Sequence, residues 1–294
     1  MIKLTYKIGY RVSAVAAHVF SAIGLVLMGV LPQIMDPYGG ILIAVTCYAI
    51  GGGMTEVLIS PIAEACPTGN KEAQMSLLHS FYSWGLVAVV SVSTVILKLV
   101  GDSLWWIVPI VWAAVPLFNI FFFARVLLVP ITKEAEGTPL SAYFKSPIMY
   151  VAILLMVCGG ASEMAMSQWA SLFAESGLGV TKVLGDLLGP CLFAVFMGLG
   201  RTLYGTVGQR LNIKKALILC GIMSTVCYLI TVFVDAPFIA LMGCALCGFG
   251  VSLMWPGVLS MISAEFGKMS SPALFAFLAL AGDGRVADDL AVQH

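Results

Sequence analysis

Charge is what this chain has least of. Asp, Glu, Lys and Arg make up 10% of its 294 residues. Soluble domains carry about 25%, so an ordinary water-soluble domain is excluded. The formal net charge is zero, which removes the electrostatic footprint of a nucleic-acid binder. There are three histidines, and no HExxH, Walker-type phosphate loop or nucleophile–His–acid set is visible. The sequence therefore points away from an enzyme, from ATP as energy source and from a metal centre, and no cofactor is expected. The eight cysteines fall in or beside apolar runs without a paired extracellular pattern, so no disulfide framework is implied. Cys244-x-x-Cys247 has no second pair beside it and reads as small core residues. No cleavable signal peptide is expected in residues 1–7, MIKLTYK, which have no apolar core.

Apolar residues fill the chain instead: 60% are hydrophobic and the mean hydropathy is +1.01. Runs of about 20 such residues are candidates to cross a bilayer. Eight are found, over 12–31, 40–63, 77–99, 105–128, 146–173, 184–205, 216–234 and 237–261. A ninth begins at 272 and stays apolar only to 281, about half of a crossing. The expected fold class is an all-α membrane protein with about eight full transmembrane helices and a partial ninth.

Lys and Arg set the orientation. Twelve of them (Lys3, Lys7, Arg11, Lys71, Arg125, Lys133, Lys145, Arg201, Arg210, Lys214, Lys215 and Lys268) fall on one side of the alternating helices; Lys98 and Lys182 fall on the other. This bias predicts a multi-pass cell-membrane protein with its N-terminus and central loop cytoplasmic; a monomer in the lipid bilayer is expected. Residues 130–147, bearing KEAEGTP, read as a linker between two bundles, 1–129 and 148–282.

The stretch GGGMTEVLISP, 51–61, puts Glu56 inside an apolar run. A charge at that depth costs at least ~2.5–3.5 kcal/mol and normally faces a protein interior or a water-filled cavity. Its glycines would let a neighbouring helix approach, and Pro61 frees a backbone carbonyl. The pattern returns as GFGVSLMWP, with a Gly eight residues before a Pro in each copy, Gly53/Pro61 and Gly248/Pro256. Basic turns lead into the runs at 12 and 216, and SLLHSFYSWG at 76–85 has a weak partner in PALFAFLALAG at 272–282. The chain thus reads as two related halves, the first lacking its two opening helices and the second its end.

This pattern resembles the major facilitator superfamily. Lys7-Ile-Gly-Tyr-Arg11 is similar to the tail of that family's loop motif, and residues 200–210, GRTLYGTVGQR, to its second copy, with Gly208 and Gln209 where an acidic residue is common. Within the family, the Glu56 helix and HSFYSWG resemble the fourth and fifth helices of fucose-permease-like sugar:proton symporters, with Ser60-Pro61 in place of Asn-Pro. The family continues apolar after Gly-Asp; here 283–294 form an aberrant polar tail, so the resemblance implies a chain truncated at both ends. It further implies a proton-coupled secondary transporter of a small polar solute such as a sugar. The alternatives are an exporter of apolar compounds on the same fold, or a non-transporting remnant.

Candidate residues follow. Glu56 is the expected proton-coupling carboxylate, against a structural carboxylate bonded to a neighbouring helix. Glu163, with Ser167, Gln168 and Trp169 close behind, offers the carboxylate, amide and indole that sugar sites use, against an outer polar rim anchored by Trp169. Trp255 and Asn119 are further substrate-binding candidates, against packing at a proline bend and an inter-helix hydrogen bond. His79 reads as a packing histidine ahead of a pH sensor. Arg201, Arg210 and Lys214 are explained by topology, and the resemblance adds a gating role.

Overall fold

The computed structural model describes residues 8–128, 140–208, 211–234, 236–267 and 272–283. Among these there is no strand. Eight helices are long and apolar enough to span a bilayer: α1 Tyr10–Ile34, α2 Pro37–Ala65, α3 Lys71–Val100, α4 Ile107–Arg125, α5 Pro147–Gly177, α6 Lys182–Val207, α7 Ile213–Phe233 and α8 Pro237–Phe266. The short apolar helix α9, Pro272–Asp283, follows. Each falls on the run expected for it, because a lipid-embedded backbone must satisfy its hydrogen bonds within the segment. The central loop at 129–139, Arg210 and the tail at 284–294 lie outside the described residues.

Helix starts are written locally. Asp36 accepts from the Gly39 N–H with Pro37 at the first position of α2, and Asn212 caps Lys214 and Lys215 of α7. Interruptions are local too. Helix α4 breaks at Ala113, one turn before Pro116. Helix α6 widens after its first turn, Lys182–Asp186, into a π turn, Leu187–Cys191, that contains Pro190. Helix α8 breaks at Ser252 and Leu253, just ahead of Pro256.

Contacts divide the chain into two compact units. The first comprises Met1–Cys66 and Ser93–Thr132, and the second Pro67–Val92 and Lys133–His294. This line differs from one drawn at the central loop, because residues 71–92 of α3 bond to α6.

In the first unit α1 packs on α2 and α4. His18 stacks on Phe123 at 5.1 Å, and Arg11 donates to the carbonyl of Val126 at 2.8 Å, a cation at a helix C-terminus. Of the three glycines 51–53, only Gly51 serves helix approach. A Cβ there would lie 2.4 Å from Ser21 Oγ, whereas Gly52 and Gly53 face open space. The second unit repeats the contact: a Cβ on Gly250 of α8 would meet Ser224 Oγ of α7 at 2.6 Å.

In the second unit α8 is the most enclosed span, packed on α5, α6 and α7. One cluster gathers Met149, Met156, Leu259, Ile262, Leu274 and Leu278; another gathers Met166, Phe193, Met197, Cys247 and Val251. Outward faces stay apolar, with Phe118, Phe121 and Phe122 on α4 and Ile218, Leu219 and Ile222 on α7 exposed. In water such faces would be an association liability; against lipid they are the expected surface.

Candidate functional site

Three helix-forming patterns converge inside the second unit. In α8, Pro256 has no N–H and its ring excludes the carbonyl four residues back, so the Ser252 carbonyl loses its helical partner. In α6, Gly200 and Gly248 of the facing α8 let the two backbones close: a Cβ on Gly248 would lie 2.0 Å from the Phe193 carbonyl oxygen, and one on Gly200 2.4 Å from Ser252 Oγ. Arg201, next along α6, thereby reaches the freed carbonyl. In α3, Ser76, Ser80 and Ser83 recur at helical spacing and are all buried.

Arg201 is 1% exposed and among the largest fully buried side chains of the described residues. Its Nε donates to the Ser252 carbonyl at 2.9 Å. Nη1 donates to the His79 carbonyl at 3.1 Å and to Ser83 Oγ at 3.0 Å. Nη2 donates to Glu163 Oε2 at 3.1 Å. Four of the five guanidinium N–H donors thus have protein acceptors, and the cation lies 5.6 Å from the centre of the Tyr82 ring. Helices α3, α5, α6 and α8 meet on this one side chain. Removing one partner of a buried ion pair typically costs ~3–5 kcal/mol, because the other charge stays behind without compensation.

The junction extends along α3 and α6. Ser76 Oγ donates to the Arg201 carbonyl at 2.8 Å. Trp84 Nε1 donates to Thr202 Oγ1 at 3.1 Å while its ring lies over Gly198. Tyr204 donates to Glu72 Oε2 at 3.0 Å, and Ser91 Oγ and Cys191 Sγ are 3.3 Å apart.

Among the described residues of the second unit, the structure joins two of the sequence candidates directly. Glu163 and Arg201 form an ion pair. Ser167 donates to the Met164 carbonyl of its own helix, and Gln168 and Trp169 are exposed. Trp255 is half-buried against the first cluster, its ring filling the space over Gly282. Asn119 is half-buried on α4 of the first unit. Glu56 is half-buried on α2, next to Thr55, which lines a small recess with His18, Leu58, Ile59 and Phe123. Lys214 is exposed at the start of α7. Sequence reasoning missed Ser83, Tyr82 and Ser252 as partners. The serine stripe of α3 and the Pro256 offset were legible signals for two of them.

This frame of polar side chains held inside apolar helices can be compared with known proteins. The model of the Major Facilitator Superfamily matches residues 3–284. The chain belongs to that superfamily. An uncharacterised MFS-type transporter of Yersinia pestis is 24% identical over 254 residues, covering 86% of this chain and 64% of the relative. This superfamily member therefore spans about two thirds of the length of that curated relative. Among solved structures, a variant of the Escherichia coli fucose:proton symporter FucP superposes with a TM-score of 0.73 at 18% identity, over 98% of this chain and 80% of that one. The proton:xylose symporter XylE gives 0.76 at 15%, over 98% and 75%. At these identities the likeness establishes the fold: a multi-pass, all-α membrane protein of the major facilitator type.

Proposed function

We propose that this superfamily member is a proton-coupled secondary transporter of a small polar solute, with sugars the first class to test. The observation that carries the reading is the placement of ionisable side chains inside apolar spans: Glu56 in α2 and the Glu163–Arg201 pair between α5 and α6. Such groups are expensive at membrane depth and mark solute and proton pathways. The sugar:proton symporters among the structural neighbours supply the solute class and the coupling ion.

Glu56 is the proposed proton-coupling carboxylate. Glu163, Ser167, Gln168, Trp169, Asn119 and Trp255 are the pool from which the solute contacts are drawn. Arg201, Arg210 and Lys214 belong to the gating machinery. The proposed setting is a monomer in the cell membrane, N-terminus and central loop cytoplasmic. The test is uptake into vesicles carrying the protein, with and without an imposed pH gradient. Glu56→Gln is expected to abolish gradient-driven uptake of a radiolabelled sugar and to leave sugar exchange intact. Gradient-driven uptake with unchanged pH dependence in Glu56→Gln would remove Glu56 from the coupling role.

A further inference from the structure

Within the second unit, α5 and α7 both pack on α8 and leave a groove between them. Its volume is about 460 Å³, inside the range of small-molecule clefts, ~300–1,000 Å³. Met254 and Val258 of α8 line it, with Leu155 of α5 and Leu229 of α7. Leu229 is exposed, and so are Ile218 and Ile222 on the same helix. The groove therefore opens beside the apolar outer face of α7, where a bilayer would meet it.

The hydroxyls of the lining are largely committed to backbone. Ser162 Oγ donates to the Cys158 carbonyl at 2.8 Å, Thr225 Oγ1 to the Gly221 carbonyl at 2.9 Å, and Tyr228 to the Ser162 carbonyl at 2.7 Å. Ser224 is buried, and its Oγ is turned to Gly250 of α8. A polyhydroxylated solute would leave its own polar groups poorly bonded in such a lining, whereas an alkyl chain has none to leave. Room for a chain is present as well: a Cβ on Gly221 would meet nothing within 4 Å.

One end of the groove is cationic. Lys214, Leu217, Gly221, Thr225 and Tyr228 follow one another at steps of three or four residues and so share one face of α7. Lys214 and its neighbour Lys215 are exposed at the start of that helix, whose positive end adds to their charge. The one ion pair among the described residues lies elsewhere, so neither lysine has a carboxylate at ion-pairing distance there. One leaflet of hydrocarbon is about 15 Å deep, the rise of about ten helical residues. A chain whose head is held at Lys214 thus runs past Leu217, Gly221 and Thr225 to near Tyr228.

We propose that the groove between α5 and α7 is a binding site for an anionic phospholipid of the surrounding bilayer. Lys214 and Lys215 hold its phosphate, and the groove takes one acyl chain. The site goes beyond the transport reading and is tested through lipid binding, without transport.

The full chain, purified in detergent and stripped of lipid, is titrated with phosphatidylglycerol and with phosphatidylcholine of identical acyl chains. Native mass spectrometry counts the lipids retained. Phosphatidylglycerol is expected to bind at least about fivefold more tightly, the factor that a single lysine near a lipid surface supplies. Lys214→Gln with Lys215→Gln should erase that preference. Gly221→Leu, which puts a side chain into the groove, should lose binding of both lipids. Lys98→Gln with Lys182→Gln removes two lysines at other helix ends and should keep the preference.

Equal retention of the two lipids overturns the site, and so does a preference that survives the Lys214 and Lys215 substitutions. A preference lost as fully in the Lys98 and Lys182 variant reports charge at large and also overturns it. Unchanged retention in Gly221→Leu removes the acyl chain from the groove. A protein that retains no phospholipid and runs as a dimer, with Gly221→Leu monomeric, gives the groove to a second copy instead. If Gly221→Leu does not fold, the two lysine variants still decide.

Discussion

A guanidinium at membrane depth tolerates few surroundings, and Arg201 occupies one with an acceptor for four of its donors. The pair it forms is weak evidence for stability by itself, since the desolvation of two charges offsets much of their attraction. The asymmetry between breaking and replacing the pair is more informative. Arg201→Ala strands Glu163 and is expected to destabilise the fold by ~3–5 kcal/mol, read as a lowered unfolding midpoint in detergent. The double substitution Glu163→Leu with Arg201→Met removes both charges and keeps similar volume, so it should recover most of that loss. A double variant as unstable as Arg201→Ala would show that neutral hydrogen bonds, not charge compensation, dominate the junction.

At the scale of elements, backbone approach decides what the side chains can reach. A Cβ on Gly248 would lie 2.0 Å from the Phe193 carbonyl oxygen, a contact with rigid backbone that no rotamer relieves. Gly248→Val is therefore expected to push α8 from α6, take the Ser252 carbonyl out of reach of Arg201 and cost ~1–3 kcal/mol or more. The check is the folded fraction by size-exclusion chromatography and the unfolding midpoint. Gly53, the same distance from its own proline, faces open space, so Gly53→Ala should be neutral or stabilising by up to ~1 kcal/mol. Two glycines that look equivalent in sequence should thus differ widely in cost.

For the whole molecule, the alternation of basic and uncharged turns sets the expected membrane orientation. Reporters fused after Arg125 and after Gly101 test it directly. A fluorescent-protein fusion should be active at the first position and an alkaline phosphatase fusion at the second. The reverse pattern would invert the proposed topology.

The sequence by itself determined the class, the spans, the repeat and the family resemblance. Those follow from local quantities: hydropathy over about 20 residues, prolines that break helices, caps such as Asp36 and Asn212, and the loop motif at 200–210. It also singled out Glu163 and Arg201, but in separate roles, one as a solute contact and one as part of a cytoplasmic loop motif. Only the tertiary structure decided that they are partners. Residues 38 apart on different helices meet because Gly200 and Gly248 bring α6 and α8 together and Pro256 leaves a carbonyl for Arg201 to take. Spacing along one helix cannot report a distance between two. For the same reason the sequence grouped Gln168 and Trp169 with Glu163, while the helix turns those two side chains outward. A short separation along the chain reports helical phase, and the packing of neighbouring helices decides which phase is buried.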